Sequence, residues 1–290
     1  MTTPSATPSG VIHDIGYQRY DGPRLGRRHI ATALYGHGMR AAFGLGRGAK
    51  AKIFPWLIVG VVGVVAAVLT AVRAQTGQMV LGYAEFSDVL TLLIIFFVAI
   101  VGPELVSRDL HSGVLPLYFA RPLGRPDYAL TKLAALVTAT FLMLAVPLTL
   151  MFSGAAFTLA DLSATWDELG DYLAGVAYAG LYAVVFSSVA LLVAAFIRRR
   201  AVAAGAIVAV FLLTTPVVGV LSLLPSESAN QLAGLVSPTT LVAGVGDWLF
   251  TKSDEFDIGS FGPLYAAVAV ALVAGCVFLL LARYRKVSAS

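Results

Sequence analysis

Charge is scarce in this sequence of 290 residues: Asp, Glu, Lys and Arg make up 12% of it, against 58% hydrophobic residues. A soluble domain carries roughly a quarter charged residues, so a water-facing surface over most of the chain is excluded. Cysteine is nearly absent as well. The single thiol, Cys276, rules out an intrachain disulfide and a cysteine metal cluster. The histidines His13, His29, His37 and His111 show no HExxH or other metal-ligand spacing. No GxSxG elbow is present. Gly44, Gly46 and Gly48 ahead of Lys50 lack the GxxxxGK[ST] spacing of a phosphate loop. No Asp/Glu/His series threads an apolar segment, which removes the usual proton relay. Transport or a membrane scaffold is what these absences leave.

What the chain does have is long apolar runs. About 18 or more such residues suffice for a helix to cross a bilayer, and six spans are expected: 53–72, 89–106, 129–152, 172–197, 201–224 and 264–282. The fold class is therefore an all-α integral membrane protein. Pro55 suits the N-terminus of the first span. Gly102, Pro103 and Glu104 predict a kink or unwound turn at the inner end of the second. Arg198, Arg199 and Arg200 leave no room for a domain between the fourth and fifth spans, which form a tight hairpin. Polar loops are expected over 73–88 and 153–171. Residues 230–250, broken by Ser237, Pro238, Gly244 and Gly246, suit a re-entrant helical pair before the sixth span.

Outside the spans, residues 1–26 read as a disordered basic tail without the apolar core of a cleavable signal. Residues 27–52 read as an amphipathic helix on the membrane surface, with Ile30, Ala33, Leu34 and Ala41 at near-helical spacing. A basic segment directly ahead of a span points to anionic lipid rather than nucleic acid. Residues 283–290 form a short tail. Of the 20 Lys and Arg residues, all but Arg73 and Lys252 fall on one side of this plan. The positive-inside rule then places both termini in the cytoplasm, with the chain in the plasma membrane.

Between the second and third spans, residues 107–128 form a polar elbow. Glu104, at its start, has three readings: a pair with Arg108 one helical turn on, a pair with Lys132, or a place in a gate. Thr138, Thr140, Ser187, Ser188, Thr214 and Thr215 are candidates to line a path, although each can also bond its own helix backbone.

From Ser107 to Lys132 the sequence runs SRDLHSGVLPLYFARPLGRPDYALTK. Its Ser-Arg-Asp-Leu opening, Ser112-Gly113, spaced leucines, Arg121-Pro122, Arg125 and Lys132 resemble the permease subunits of type-2 ATP-binding-cassette (ABC) transporters. The stretch YQRYDGPRLGRR at 17–28 is similar to the opening of actinobacterial members, and the six-span plan fits as well. The resemblance implies an export permease that works by alternating access. ATP, with Mg, would be hydrolysed on a separate cytoplasmic ABC ATPase present in two copies. This chain would bind no cofactor itself and would pair with a second permease chain, as a homodimer or a heterodimer. It also implies a coupling helix over 109–120. Leu115, Leu117, Tyr118 and Phe119 would supply its apolar contact and Arg108, Asp109, His111, Arg121 and Arg125 its polar anchors, with Arg27 and Arg28 completing the interface. His111 and Ser112 stand where members often carry acids, and Pro116 is expected to interrupt the helix. The alternative is a non-transporting membrane anchor or assembly protein that recruits a soluble partner. A secondary transporter is disfavoured, since inverted-repeat signs are missing.

Overall fold

The computed structural model describes residues 22, 26–46, 48–120, 123–157, 162–250 and 258–287. Most of the expected N-terminal tail and residues 288–290 lie outside them. The described residues hold helices and no strand. In chain order these are α1 (Arg27–Ala42), α2 (Ala49–Thr76), α3 (Tyr83–Val89), α4 (Thr91–Leu105), α5 (Ser107–His111), α6 (Leu115–Phe119), α7 (Arg125–Ala156), α8 (Leu162–Phe196), α9 (Arg200–Leu221) and α10 (Glu227–Ala233), then α11 (Pro238–Phe250) and α12 (Gly262–Val287). A 3-10 turn, Gly234–Val236, joins α10 to α11.

Six segments are long and apolar enough to cross a membrane: α2, α4 with α5, α7, α8, α9 and α12. The α10–α11 pair bends by 117° at Ser237, as a broken span or a re-entrant loop does. Burial separates the six. The apolar stretches of α8 and α4–α5 are 67% and 61% buried within the protein, whereas those of α2, α9 and α12 are 22% buried. Helices α4, α7 and α8 therefore form the interior of the bundle. The apolar outer faces of α2, α9 and α12, with Val64, Leu213 and Phe278 exposed, suit contact with lipid tails.

Several boundaries differ from the sequence reading, each for a local reason. The N-terminal helix expected over 27–52 stops at Ala42. Gly44 and Gly46 follow with φ of 66° and 79°, a region open to glycine and strained for residues with a Cβ. A Cβ on Gly44 would also lie 2.7 Å from the Ala51 carbonyl oxygen. Residues from Ala49 onward belong to α2, so Pro55 sits inside that helix rather than at its start. The stretch read as a polar loop at 73–88 contains α3, whose first turn is capped where the Gly82 N–H donates to the Glu85 carboxylate at 3.1 Å. Its Tyr83 and Phe86 are buried. Helix α8 starts ten residues before the expected Tyr172, because Glu168 is drawn onto Arg73 (below). The second span runs through Pro103 and departs from helical geometry at Val106, where φ is −122° and ψ −54°.

The elbow is two short helices rather than one over 109–120. Gly113, with φ of 65°, makes the break. Pro116 does not interrupt a helix. It sits in the first turn of α6, where its missing N–H has no helical acceptor to lose.

At the end that carries most of the basic residues, α1 packs on α7 and α4. A Cβ on Gly38 would come 2.8 Å from that of Ala135, so this crossing requires glycine. Gly38→Leu should therefore destabilise the protein by about 1–3 kcal/mol, read as a lowered melting temperature of the detergent-purified chain. Gly36 faces open space, and Gly36→Ala should instead be neutral or stabilising by up to about 1 kcal/mol.

Candidate functional site

Where α4 gives way to α5, the chain is fixed in place by buried polar contacts. The Ser107 hydroxyl donates to the Ala194 carbonyl at 3.0 Å, tying α5 to the end of α8. Asp109, in the first turn of α5, turns inward. Its carboxylate lies 2.8 Å from the Lys132 ammonium and accepts the Tyr128 hydroxyl at 2.7 Å. Tyr128 and Lys132 are four residues apart on α7 and so share a face. The side chains of Lys132 and Asp109 are only 4% and 14% exposed. Tyr128 in turn packs edge-on against Tyr284 of α12, ring centres 5.2 Å apart, and against Tyr118 of α6 at 5.6 Å. One carboxylate thus joins α5 to α7, and the aromatic stack extends the joint to α6 and α12.

A second tier of charges surrounds this joint. Glu104 pairs with Arg200 at the start of α9 and with Arg108 at 3.4 Å. Asp127 accepts the Gly124 N–H at 3.0 Å, capping α7, and pairs with Arg27 of α1. Arg125 donates to the Arg285 carbonyl at 3.3 Å, near the end of α12. Among the described residues, α1, α8, α9 and α12 are thus each tied to the elbow or its flanks by a polar contact.

The contact set expected from sequence divides in two. Asp109 and Leu115 face inward, and Tyr118 is half-buried on Tyr128. Arg28, Arg108, His111 and Arg125 are exposed, Arg27 is exposed while paired with Asp127, and Leu117 is 69% exposed. Arg121 and the Phe119 side chain lie outside what the structure describes. Glu104 and Lys132, read as a gate or an ion pair, both stand in ion pairs.

The candidate path residues are scattered. Thr140 and Ser187 share a buried hydrogen bond of 3.3 Å between α7 and α8, and Thr138 is half-buried on α7. Ser188 bonds the Val184 carbonyl of its own helix, and Thr215 that of Phe211. Thr214 bonds Val210 O and also meets the Ser237 hydroxyl at 2.9 Å, holding α9 to the bend before α11.

The opposite end has its own polar ties, which the sequence reading did not single out. Arg73 grips both oxygens of Glu168, at 2.6 and 2.7 Å, and the Tyr83 hydroxyl donates to the same carboxylate. Burial, then the Glu168 contact, push the Tyr83 phenol well above its usual pKa, so it stays a donor at any physiological pH. Asp88 accepts the hydroxyls of Tyr178 and Tyr182 at 2.6 and 2.7 Å. Sequence reasoning also missed Arg200, Tyr128 and Tyr284. A usable signal existed for Tyr128 alone, at helical spacing from Lys132. Among the described residues no cluster of His, Cys, Asp and Glu can hold a metal ion.

Six membrane-length helices held by polar ties at both ends define a multi-pass, all-helical membrane protein. Residues 30–285 match the profile of the family described as ABC-2 family transporter protein, and the chain belongs to that family. It is a permease subunit of an ABC transporter, a membrane component that works with an ABC ATPase partner. No curated protein matches the chain.

Removing one member of a buried pair strands the other charge, which costs about 3–5 kcal/mol. Lys132→Met should destabilise the protein by that order, and the double variant with Asp109→Leu should recover most of the loss. Tyr128→Phe should cost about 1.5–3 kcal/mol, the worth of a hydrogen bond to a charged group. Unfolding of the purified variants in detergent measures all three.

Proposed function

We propose that this chain is the transmembrane half of an exporter in the plasma membrane, with both termini cytoplasmic. Two such chains, identical or related, form the pathway. Two copies of a cytoplasmic ABC ATPase bind and hydrolyse ATP with Mg, and their closure drives alternating access. The observation that carries this reading is the form of the elbow, whose outer surface offers Leu117, Arg108, His111 and Arg125 while its inner surface is bolted to α7 through Asp109, Lys132 and Tyr128. A loop serving only to satisfy charge asymmetry has no need of a buried ion pair. A loop that receives a push does.

The physics follows from the two short helices. Neither α5 nor α6, at five residues each, is stable alone, so the pair moves with whatever it is packed on. Force on Leu117 and the arginines would pass into α7 through the ion pair, into α12 through Tyr284 and into α8 through Ser107, as a rigid-body shift of helices. Glu104, held by Arg108 and Arg200, would carry the same shift to α9. A non-transporting anchor could use the same outer surface, but membership of a transporter family favours transport.

Leu117 separates contact with the ATPase from folding, because its side chain is exposed in the isolated chain, whereas Tyr118 packs on Tyr128. With the partner ATPase co-expressed, Leu117→Glu should lower permease-stimulated ATP hydrolysis by at least about tenfold, the effect of losing an apolar anchor at an interface. The melting temperature of the permease should not change. Wild-type stimulation in that variant contradicts the proposal.

A further inference from the structure

Beside the elbow, an open groove of about 350 Å³ lies between the end of α1, the start of α2, the basic end of α4 and Arg200 of α9. Its volume is within the roughly 300–1,000 Å³ of small-molecule sites. The walls are apolar, with Ala42, Ala51, Phe54 and Ile100 among them, and the polar lining is the Glu104–Arg200 pair. The sequence accounts for the space. Alanines line the meeting of α1 and α2, and the glycine turn at Gly44 and Gly46 lets the two helices approach there without bulky side chains.

We propose that this groove holds one anionic phospholipid of the leaflet at the basic end, with its phosphate on Arg200 and an acyl chain along the wall formed by Phe54 and Ile100. Two observations fix this occupant. The first is depth. Trp56, half-exposed beside the groove, donates its indole N–H to the Phe43 carbonyl at 3.0 Å, and tryptophan in that role marks the level of lipid headgroups. The second is charge. Arg200 is 56% exposed while paired, and Glu104 engages it through one terminal nitrogen. The guanidinium thus keeps N–H donors for a phosphate, which it can bind as a fork. Arg108 also pairs with Glu104, at 3.4 Å, and its side chain is 51% exposed. Around Glu104, the one carboxylate of the groove lining, stand two arginines, Arg200 and Arg108, so an anionic headgroup has more to gain than a zwitterionic one.

The position gives the lipid a consequence. Glu104 and Arg200 form the polar link between α4 and α9 at this end, so a phosphate on Arg200 would brace that link and an acyl chain would fill the gap beside it.

The test is native mass spectrometry of the full chain released from vesicles of equal phosphatidylglycerol and phosphatidylcholine. The wild-type chain should retain one phosphatidylglycerol in preference to phosphatidylcholine. Arg200→Gln should lower that retention by about fivefold, the worth of one arginine near an anionic surface, while Arg198→Gln should leave it closer to wild type. Ala51→Trp narrows the groove from its exposed side without altering charge, and should lower retention of both lipids. Equal retention of the two lipids by the wild type would overturn the proposal. So would wild-type retention in both Arg200→Gln and Ala51→Trp. A Phe54→Cys disulfide between two copies, with lipid retention unaffected by either substitution, would assign the groove to a second chain instead.

Discussion

A carboxylate and an ammonium held 2.8 Å apart in the protein interior set the terms for the rest of this fold. Water screens such a pair weakly there, and the cost of desolvating both groups is recovered only when their remaining hydrogen-bonding capacity is met. The Tyr128 hydroxyl helps to meet it. Because Asp109 belongs to α5 while Lys132 and Tyr128 belong to α7, the ion pair can be kept only if the elbow stays seated on the third span. The outer ion pairs, Arg27 with Asp127 and Glu104 with Arg200, are wet and contribute little to stability by themselves. Their effect is geometric, fixing α1 and α9 relative to a joint that is already rigid.

The two ends of the bundle use the same device differently. At the basic end the polar contacts tie together elements that are distant in sequence and leave a charged surface outside them. At the other end, Arg73, Tyr83 and Glu168 close over one another, and Asp88 is enclosed by Tyr178 and Tyr182. Arg73 was one of two basic residues on the far side of the charge pattern, and the structure pairs its charge with a largely buried glutamate. Between these ends, α4, α7 and α8 supply the packed interior. Helices α2 and α9 pack on it with most of their apolar surface facing outward, α9 chiefly against α4. Such an arrangement suits rigid-body motion of outer helices around a fixed centre.

Much of the architecture was legible in the sequence because hydrophobic length and charge scarcity are collective signals. Six spans, the tight turn at Arg198–Arg200 and the broken pair around Pro238 all follow from them. Local exceptions were not legible for physical reasons. Helix α3 hides in a polar stretch because the burial of Tyr83 and Phe86 that holds it depends on packing against α8. The split of the elbow rests on the positive φ of Gly113, while Pro116, the more obvious breaker, was free to open α6. Among the site residues, Glu104 and Arg108 could be paired by helical spacing. The partnership of Asp109 with Lys132, and of Glu104 with Arg200, spans turns whose geometry no periodicity encodes. The inward orientation of Asp109 and Leu115 follows from that geometry too.

The account stands on α5 and α7 moving as one body. Spin labels at His111→Cys, exposed on α5, and Leu142→Cys, exposed midway along α7, in a Cys276→Ala background, measure this by double electron–electron resonance on the permease–ATPase complex. Labelled chains are diluted in unlabelled ones so that each complex carries one labelled chain. The predicted result is one distance distribution that is the same without nucleotide and with ATP bound, in a complex whose ATPase is active. A shift or broadening of that distribution on ATP binding would mean that the elbow moves separately from the third span, and would contradict the account.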